Sequence, residues 1–335
     1  MLKNLPIGAT ERWLLLVILL ISAYLAVATD TFLTLVNLFD ILNYSAVNVI
    51  FAAGLLVVLI AGGIDISFAV GASVVQYIVV TALIQMGGGN WAIGIVLSLA
   101  VGFCLGAINA ALIYHFRIIS IVVTIATFNL FFGFLMFLTG GVSIYNLPSW
   151  LSSRVILFEY ETEIGWAEIT LPVLAMVVTV AATWFLLRRL NLGRQLFAMG
   201  DNTEGARRLG INLGAMHYLA YGWLGACAGL AGLMQAHYAR EVVPNALYGR
   251  ELEVLAAVVL GGARLGGGRG TLLGAILGLA LVSITQNGLN LLGISPYAFR
   301  MIVGFIILVA ISLSNETIGL IVSRLKGPKA AGALR

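Results

Sequence analysis

Residues 46–86 read AVNVIFAAGLLVVLIAGGIDISFAVGASVVQYIVVTALIQM. An apolar run, Ala46–Gly62, meets Gly62-Gly63-Ile64-Asp65, and a second run, Ile66–Met86, follows. The first run is too short for a hydrocarbon core of ~30 Å, which takes ~20 helical residues at 1.5 Å each. Short, glycine-interrupted spans are where membrane proteins break helices around a polar pathway, because non-helical backbone at that depth survives only beside protein or water. Asp65, an acid flanked by glycines and Ser67, needs backbone donors or a cation. The stretch therefore predicts an interruption at Asp65, not one continuous helix.

The rest of the chain agrees with a membrane setting. Of 335 residues, 61% are hydrophobic and 10% charged, against about 45–50% and 25% in soluble domains. The mean hydropathy is +1.06. A soluble enzyme, a nucleic-acid-binding module and a disordered chain are excluded, because a soluble domain this apolar could not cover its own surface. The pI of 9.2 does not argue for nucleic acid, since the excess charge is thinly spread.

Apolar stretches at Trp13–Ala28, Ala46–Gly62, Ile66–Met86, Trp91–Tyr114, Ile118–Thr139, Ile169–Leu187, Tyr218–Gln235, Leu252–Gly262, Thr271–Leu292 and Tyr297–Leu313 predict about ten crossings. Leu252–Gly262 is short like Ala46–Gly62 and runs into the glycine cluster Gly261–Gly270. The expected fold is all-α and polytopic, a single transmembrane domain over 1–335 with both termini cytoplasmic. With the N-terminus inside, only Arg154, Arg240, Arg250 and Arg300 of the 18 Lys and Arg residues stay outside, a positive-inside bias. Lys3, Arg12 and the run closing on Ala26-Val27-Ala28 imitate a secretory signal; they are read as a retained first helix. The loop 140–168, with Tyr145, Trp150, Tyr160 and Trp166, is expected to be periplasmic and anchored at the interface. Residues 188–217 form the long cytoplasmic loop and 314–335 a cytoplasmic tail.

No constellation for catalysis stands out. The glycines of Val258–Thr271 lack the lysine and the strand–helix context of a phosphate loop, and suit tight re-entry and close helix packing. His115, His217 and His237 have no metal-ligand spacing, and Cys104 and Cys227 stand alone. The chain is expected to need no cofactor. Polar residues inside apolar spans are the better clue: Asn48, Asp65, Ser67, Gln76, Asn109, Thr124, Thr127, Asn129, Gln235, Gln286, Asn287 and Asn290. Nearly all are neutral, which suits a hydroxylated solute more than an ion path. Asn48, Asp65, Ser67, Gln76, Asn129 and Asn290 are the expected pathway members, against the alternative that amides merely join helices.

In the cytoplasmic loop, Gly200-Asp201-Asn202-Thr203-Glu204-Gly205-Ala206-Arg207-Arg208-Leu209-Gly210-Ile211 reads as a short capped helix. Asp201 is the expected N-cap with Glu204 as reciprocal partner; Gly210 closes it in the left-handed conformation and Ile211 folds back. Ala206 and Leu209 would share a face able to enter a groove, with Arg207 and Arg208 at its rim.

Several motifs together resemble the ribose-type sugar ABC transporter permeases. Gly62-Gly63-Ile64-Asp65-Ile66-Ser67 is similar to their Gly-Gly-Ile-Asp-Leu-Ser signature, and Gly200–Ile211 to their cytoplasmic loop. Glu251–Gly262 resembles their Glu-Leu-Asp-Ala-Ile-Ala-Ala-Val-Val-Leu-Gly-Gly block, and Arg264–Thr271 and Asn287–Pro296 continue the likeness. Asp201 replaces a glycine, Glu253 an aspartate and Gly266 a serine. The resemblance implies a multi-pass subunit of the bacterial inner membrane in contact with lipid, paired with a second permease copy or paralogue. It also implies two cytoplasmic ATP-binding subunits and a periplasmic solute-binding protein, ATP being bound by the partners. It assigns Gly200, Asp201, Asn202, Glu204, Ala206, Arg207, Leu209 and Gly210 to ATPase coupling. The rival readings are a branched-chain amino acid permease of the same type and an ion-coupled secondary transporter.

Overall fold

The computed structural model describes residues 8–295 together with 298, 301, 302, 304 and 305. The expected span Tyr297–Leu313 falls largely outside the described residues, and the tail 314–335 entirely so. The helices, in chain order, are α1 (Ala9–Ala28), α2 (Leu35–Ile60), α3 (Phe68–Gln85), α4 (Trp91–Phe116), α5 (Ser120–Thr139), α6 (Ser149–Ser152), α7 (Leu171–Arg188), α8 (Asn191–Asp201), α9 (Thr203–Arg208), α10 (Leu213–Ala239), α11 (Arg250–Leu260) and α12 (Leu272–Leu291). Seven of them, α1 to α5, α7 and α12, are long and apolar enough to cross a membrane. Helix α10 is equally long at 27 residues, but glycine dilutes its apolar character.

The expectation of an all-α chain needs one addition. Strands β1 (Ile156–Thr162) and β2 (Gly165–Thr170) form an antiparallel hairpin that starts in the 140–168 loop and takes in the first two residues of the apolar stretch Ile169–Leu187. Asn43 of α2 ties it down, its Oδ1 accepting from Thr170 N at 3.0 Å and from Thr170 Oγ1 at 2.6 Å.

Helix α2 is the axis of the bundle. From Ser45 to Ile60 every residue is buried, the mark of a helix apolar on all sides and surrounded by protein. It is not short, as the apolar run suggests. Thr34 caps it, accepting from Asn37 N at 3.3 Å, and it runs 26 residues, or about 39 Å. Its first turns carry Asn37, Asp40 and Asn43, three apart, which an apolar count excludes. Helix α11 is short as expected: 11 residues, about half the hydrocarbon thickness.

Close helix packing follows from small residues. Gly102 and Gly106 of α4 face Gly225 and Gly229 of α10. A Cβ on Gly225 would stand 2.2 Å from Gly102 O, and one on Gly229 1.9 Å from Ser98 O. No side chain fits there, so the backbones touch and van der Waals contact replaces hydrophobic drive inside lipid.

The double glycines act as helix stops. After α2, Gly62 (φ +89°) lets Gly62 N reach Leu59 O and Gly63 N reach Val58 O, the Schellman pattern that satisfies the last carbonyls. Gly262 ends α11 in the same way, with Ala263 N on Val258 O.

Candidate functional site

A polar cavity of about 720 Å³ lies between α2, α11, α12 and the end of α10. Helix α2 contributes Asn37, Asp40 and Tyr44; α10 Tyr238; the turn before α11 Tyr248; α11 Arg250 and Glu253; and α12 Gln286, Asn287 and Asn290. The chain reaches it by irregular backbone. After α10, residues 240–249 descend without helix, Val242 pairing with Ile144 and Val243 O accepting from Gln76 Nε2 at 3.4 Å. Helix α11 starts only at Arg250, whose Nη1 lies 3.4 Å from Asn48 Oδ1. Asn48 sits about 18 Å along α2 from Ile60, so α11 begins in mid-bundle. A helix that starts at mid-depth beside a polar hollow is the arrangement by which membrane proteins expose backbone and side-chain polarity to a solute.

Inter-helix pairs hold the walls. Asn37 and Asn287 bond reciprocally at 3.1 and 2.8 Å, and Gln286 Nε2 donates to Glu253 Oε1 at 2.6 Å. Phe128 and Phe132 of α5 pack on the Tyr248 ring with centroids 5.4 and 4.8 Å away. Among the described residues, Asp40, Tyr44, Tyr238, Tyr248 and Asn290 line the same space without a side-chain hydrogen bond. The cavity thus presents donors and acceptors that the fold has not used.

The expected pathway residues separate into three groups. Asn290 lines the cavity, and Asn48 supports its wall through Arg250. Gln76 is buried and positions the descending segment, while its Oε1 has no partner among the described residues. Asn129 is exposed on α5 and donates to Ile125 O of its own helix at 2.8 Å; it does not reach the cavity.

Asp65 and Ser67 form the third group, away from the cavity. Asp65 lies in the break between α2 and α3, as expected, and is buried. Its Oδ1 accepts from Ser67 N and Ser67 Oγ, both at 2.7 Å. Asn109 of α4 donates to Asp65 Oδ2 at 3.1 Å and to Ser67 Oγ at 2.8 Å. Ser120 and Thr124 of α5 bracket Ile64, Ser120 Oγ accepting from its N–H at 3.0 Å and Thr124 Oγ1 donating to its carbonyl at 3.3 Å. These bonds join α3, α4 and α5 at the broken helix. The adjoining void holds about 20 Å³, room for one water at most. No cationic side chain meets Asp65 among the described residues; backbone, hydroxyl and amide donors do that work.

The cytoplasmic-loop expectation needs two corrections. The N-cap is Asn202, not Asp201: Asn202 Oδ1 accepts from Gly205 N at 2.8 Å, while Asp201 is the last residue of α8, a helix the capping pattern does not reveal. With Asn202 as the cap, Glu204 falls one position short of the reciprocal site and instead accepts from Arg207 at 3.1 Å and Arg208 at 3.2 Å. Those hydrogen bonds hold its carboxyl below the ordinary glutamate range. The second correction concerns the shared face. Ala206 is buried against the bundle and Leu209 is 81% exposed, because Leu209 has already left the helix as its C-cap. The stop itself is as expected: Gly210 has φ +81° and Ile211 N reaches Ala206 O at 3.1 Å.

Missing from the pathway expectation are Asn37, Asp40, Tyr44, Tyr238, Tyr248, Arg250 and Glu253. The spacing of Asn37 and Asp40, one helical turn apart, is the available signal; Tyr44, Tyr238, Tyr248 and Arg250 stand in stretches that look like loops, and Glu253 lies inside the apolar stretch Leu252–Gly262.

Residues 37–311 match the family described as branched-chain amino acid transport system / permease component. The chain is 31% identical to the ribose import permease protein RbsC of Escherichia coli K12 over 318 residues, 92% of this chain and 96% of that one. It is 30% identical to RbsC of Bacillus subtilis over 291 residues, 87% and 88% of the two chains. It is 32% identical to the autoinducer 2 import system permease protein LsrC of Photorhabdus luminescens over 295 residues, 88% and 86%. No solved structure matches the chain. The matches run from the first turn of α2 to beyond α12 and take in the cavity, the Asp65 break and the cytoplasmic helices, and on that extent the chain belongs to the branched-chain amino acid transport system / permease component family.

Proposed function

We propose that this chain is the multi-pass inner-membrane permease subunit of a bacterial ATP-binding-cassette importer that passes a monosaccharide or similar polyol through the cavity at the start of α11. The observation that carries the reading is the set of unused polar groups there, with Asn290 free on one wall and Asp40 and Tyr44 on the other. Amides and phenols both donate and accept, which matches a ring of hydroxyls, and tyrosine faces suit the apolar C–H face of a sugar. Two carboxylates and one guanidinium leave no surplus of positive charge for a carboxylate or phosphate. A zwitterionic branched-chain amino acid would want an apolar pocket beside paired charges. The named relatives act on ribose and autoinducer 2, which favours the sugar side of the family.

Magnitudes fit a passage rather than a trap. A hydrogen bond that replaces one to water nets about 0.5–1.5 kcal/mol. Three or four of them give about 4 kcal/mol, a millimolar affinity. Tight capture then belongs to a solute-binding protein, and the permease needs only to offer a path.

The remaining features take their places in this reading. About ten crossings put both termini and residues 188–217 in the cytoplasm and the β1–β2 hairpin in the periplasm. Helices α8 and α9 meet one of two ATP-binding subunits, and a second permease copy or paralogue completes the channel. This chain supplies no ATPase site of its own.

The test is reconstitution with the ATP-binding and solute-binding proteins encoded beside it. Uptake of labelled monosaccharides should require ATP inside and the binding protein outside. Uptake driven by an ion gradient alone, or competed by leucine and not by sugars, would overturn the reading.

A further inference from the structure

Three of the four helices that line the cavity, α2, α11 and α12, converge at their far ends on one residue of the cytoplasmic segment. Helix α2 carries cavity residues Asn37, Asp40 and Tyr44 near its start and finishes at Ile60. Helices α11 and α12 carry the others and are joined by the glycine loop 261–271. Gly200, in the last turn of α8, lies against both. A Cβ at Gly200 would stand 1.9 Å from Ile60 O and 2.6 Å from Gly268 N. A Cβ at Gly267 would stand 2.6 Å from Gly200 O and 2.7 Å from Gly62 Cα. Gly268 N donates to Ile60 O at 2.9 Å. Three backbones therefore touch with no side chain between them.

The junction is also continuous with α9. Thr203 Oγ1 donates to Met199 O at 3.0 Å and Asn202 N to Ala198 O at 3.1 Å, so α9 hangs from the turn that contains Gly200. Leu196 and Met199 are buried, which anchors α8 in the core. A push on α9 has no compliant side chain to absorb it before it reaches Ile60 and the glycine loop. Backbone-to-backbone contact transmits displacement where a long side chain would change rotamer instead.

Building on the transport reading above, we infer that Gly200 is the positioning residue through which movement of α8 and α9 is delivered to the cavity walls. Residue 200 must be glycine because any Cβ would wedge Ile60 O away from Gly268 N. Helix α2, about 39 Å long, then acts as a lever from the junction to Asn37 and Asp40, while the glycine loop moves α11 and α12 with it.

The experiment uses the assembled importer in proteoliposomes and compares Gly200→Ala with Gly229→Ala. The second variant places an equally tight Cβ, 1.9 Å from Ser98 O, in the α4–α10 packing away from the junction. Gly200→Ala is expected to lower solute moved per ATP about tenfold. Gly229→Ala is expected to lower the yield and melting temperature of the complex without changing that ratio. An unchanged ratio in Gly200→Ala, or an equal fall in both variants, would overturn the inference. A native complex that transports nothing would instead sink the transport reading.

A second measurement covers failure of Gly200→Ala to assemble. With Cys104→Ser as background, spin labels at Arg194→Cys and Leu273→Cys span the junction, and labels at Leu33→Cys and Leu292→Cys span the outer ends of α2 and α12. Through the ATP cycle the first distance should stay constant while the second changes. A junction distance that changes, or outer ends that stay still, would show that the walls are not driven through this contact.

Discussion

Two groups of polar side chains, one buried around Asp65 and one exposed to the cavity with Asp40, Tyr44 and Asn290, have sequences that look alike: an acid with neutral amides and hydroxyls. Around Asp65 every carboxylate oxygen is engaged by Ser67 or Asn109, and the adjoining void holds about 20 Å³. At the start of α11 the cavity is about 720 Å³, and Asp40, Tyr44 and Asn290 face it without a hydrogen bond among the described residues. The first group has used its polarity to hold a broken helix together. The second has kept its polarity for something that arrives. Chemistry does not separate the two; burial and satisfaction do, with Asn109 Oδ1 of the first group lacking a partner among the described residues.

The sharpest way to break that comparison is Asp65→Ala. It strips the acceptor from two Ser67 donors and one Asn109 donor at once, a loss of about 3 kcal/mol or more. Most of the protein should disappear from the membrane, measured as folded yield in detergent. Asp65→Asn should cost about 1 kcal/mol, because Asn109 can turn its amide round to meet the new one. If Asp65→Asn instead folds fully but abolishes uptake, the acid belongs to the pathway and the division proposed here is wrong.

On the cavity side, Asn290→Ala should leave folded yield unchanged and lower uptake about fivefold, the loss of one hydrogen bond to solute. Equal folded yield with native uptake would move Asn290 out of the pathway. Asn129→Ala sharpens the boundary: its amide bonds to its own helix outside the cavity, so initial uptake rates should stay within about a factor of two.

The smallest effect is expected at Glu204. Its carboxyl is lowered in the folded protein by hydrogen bonds from Arg207, then Arg208. The contribution is therefore present above the ordinary glutamate pKa and is lost as pH falls through the lowered value. Hydrogen exchange of the α9 amides should quicken slightly over that acid range, and Glu204→Gln should remove the pH dependence. The pair is exposed, so solvent screening keeps the effect small.

Most of the helical architecture was legible in the sequence because it rests on local rules. Twenty apolar residues need lipid or protein around them, and double glycines at 62–63 and 261–262 stop helices by adopting the left-handed conformation. The same rules misread two places. The start of α2 was hidden because Asn37, Asp40 and Asn43 dilute its apolar run while Thr34 still caps it. The cap of α9 was assigned one residue early because Asp201 and Asn202 are both good caps, and only the length of α8 decides between them.

The sequence by itself determined that this chain crosses a membrane and where the helices before Gly62-Gly63 and Gly261-Gly262 break. Each of these depends on residues near one another in the chain. Only the tertiary structure decided that Asp65 is buried and bonded while Asn290 is exposed to the cavity, and that Gly62, Gly200 and Gly267 meet. Those facts are relations between residues brought together from distant parts of the chain, and a hydrogen bond or a backbone contact of a few ångströms depends on how whole helices pack.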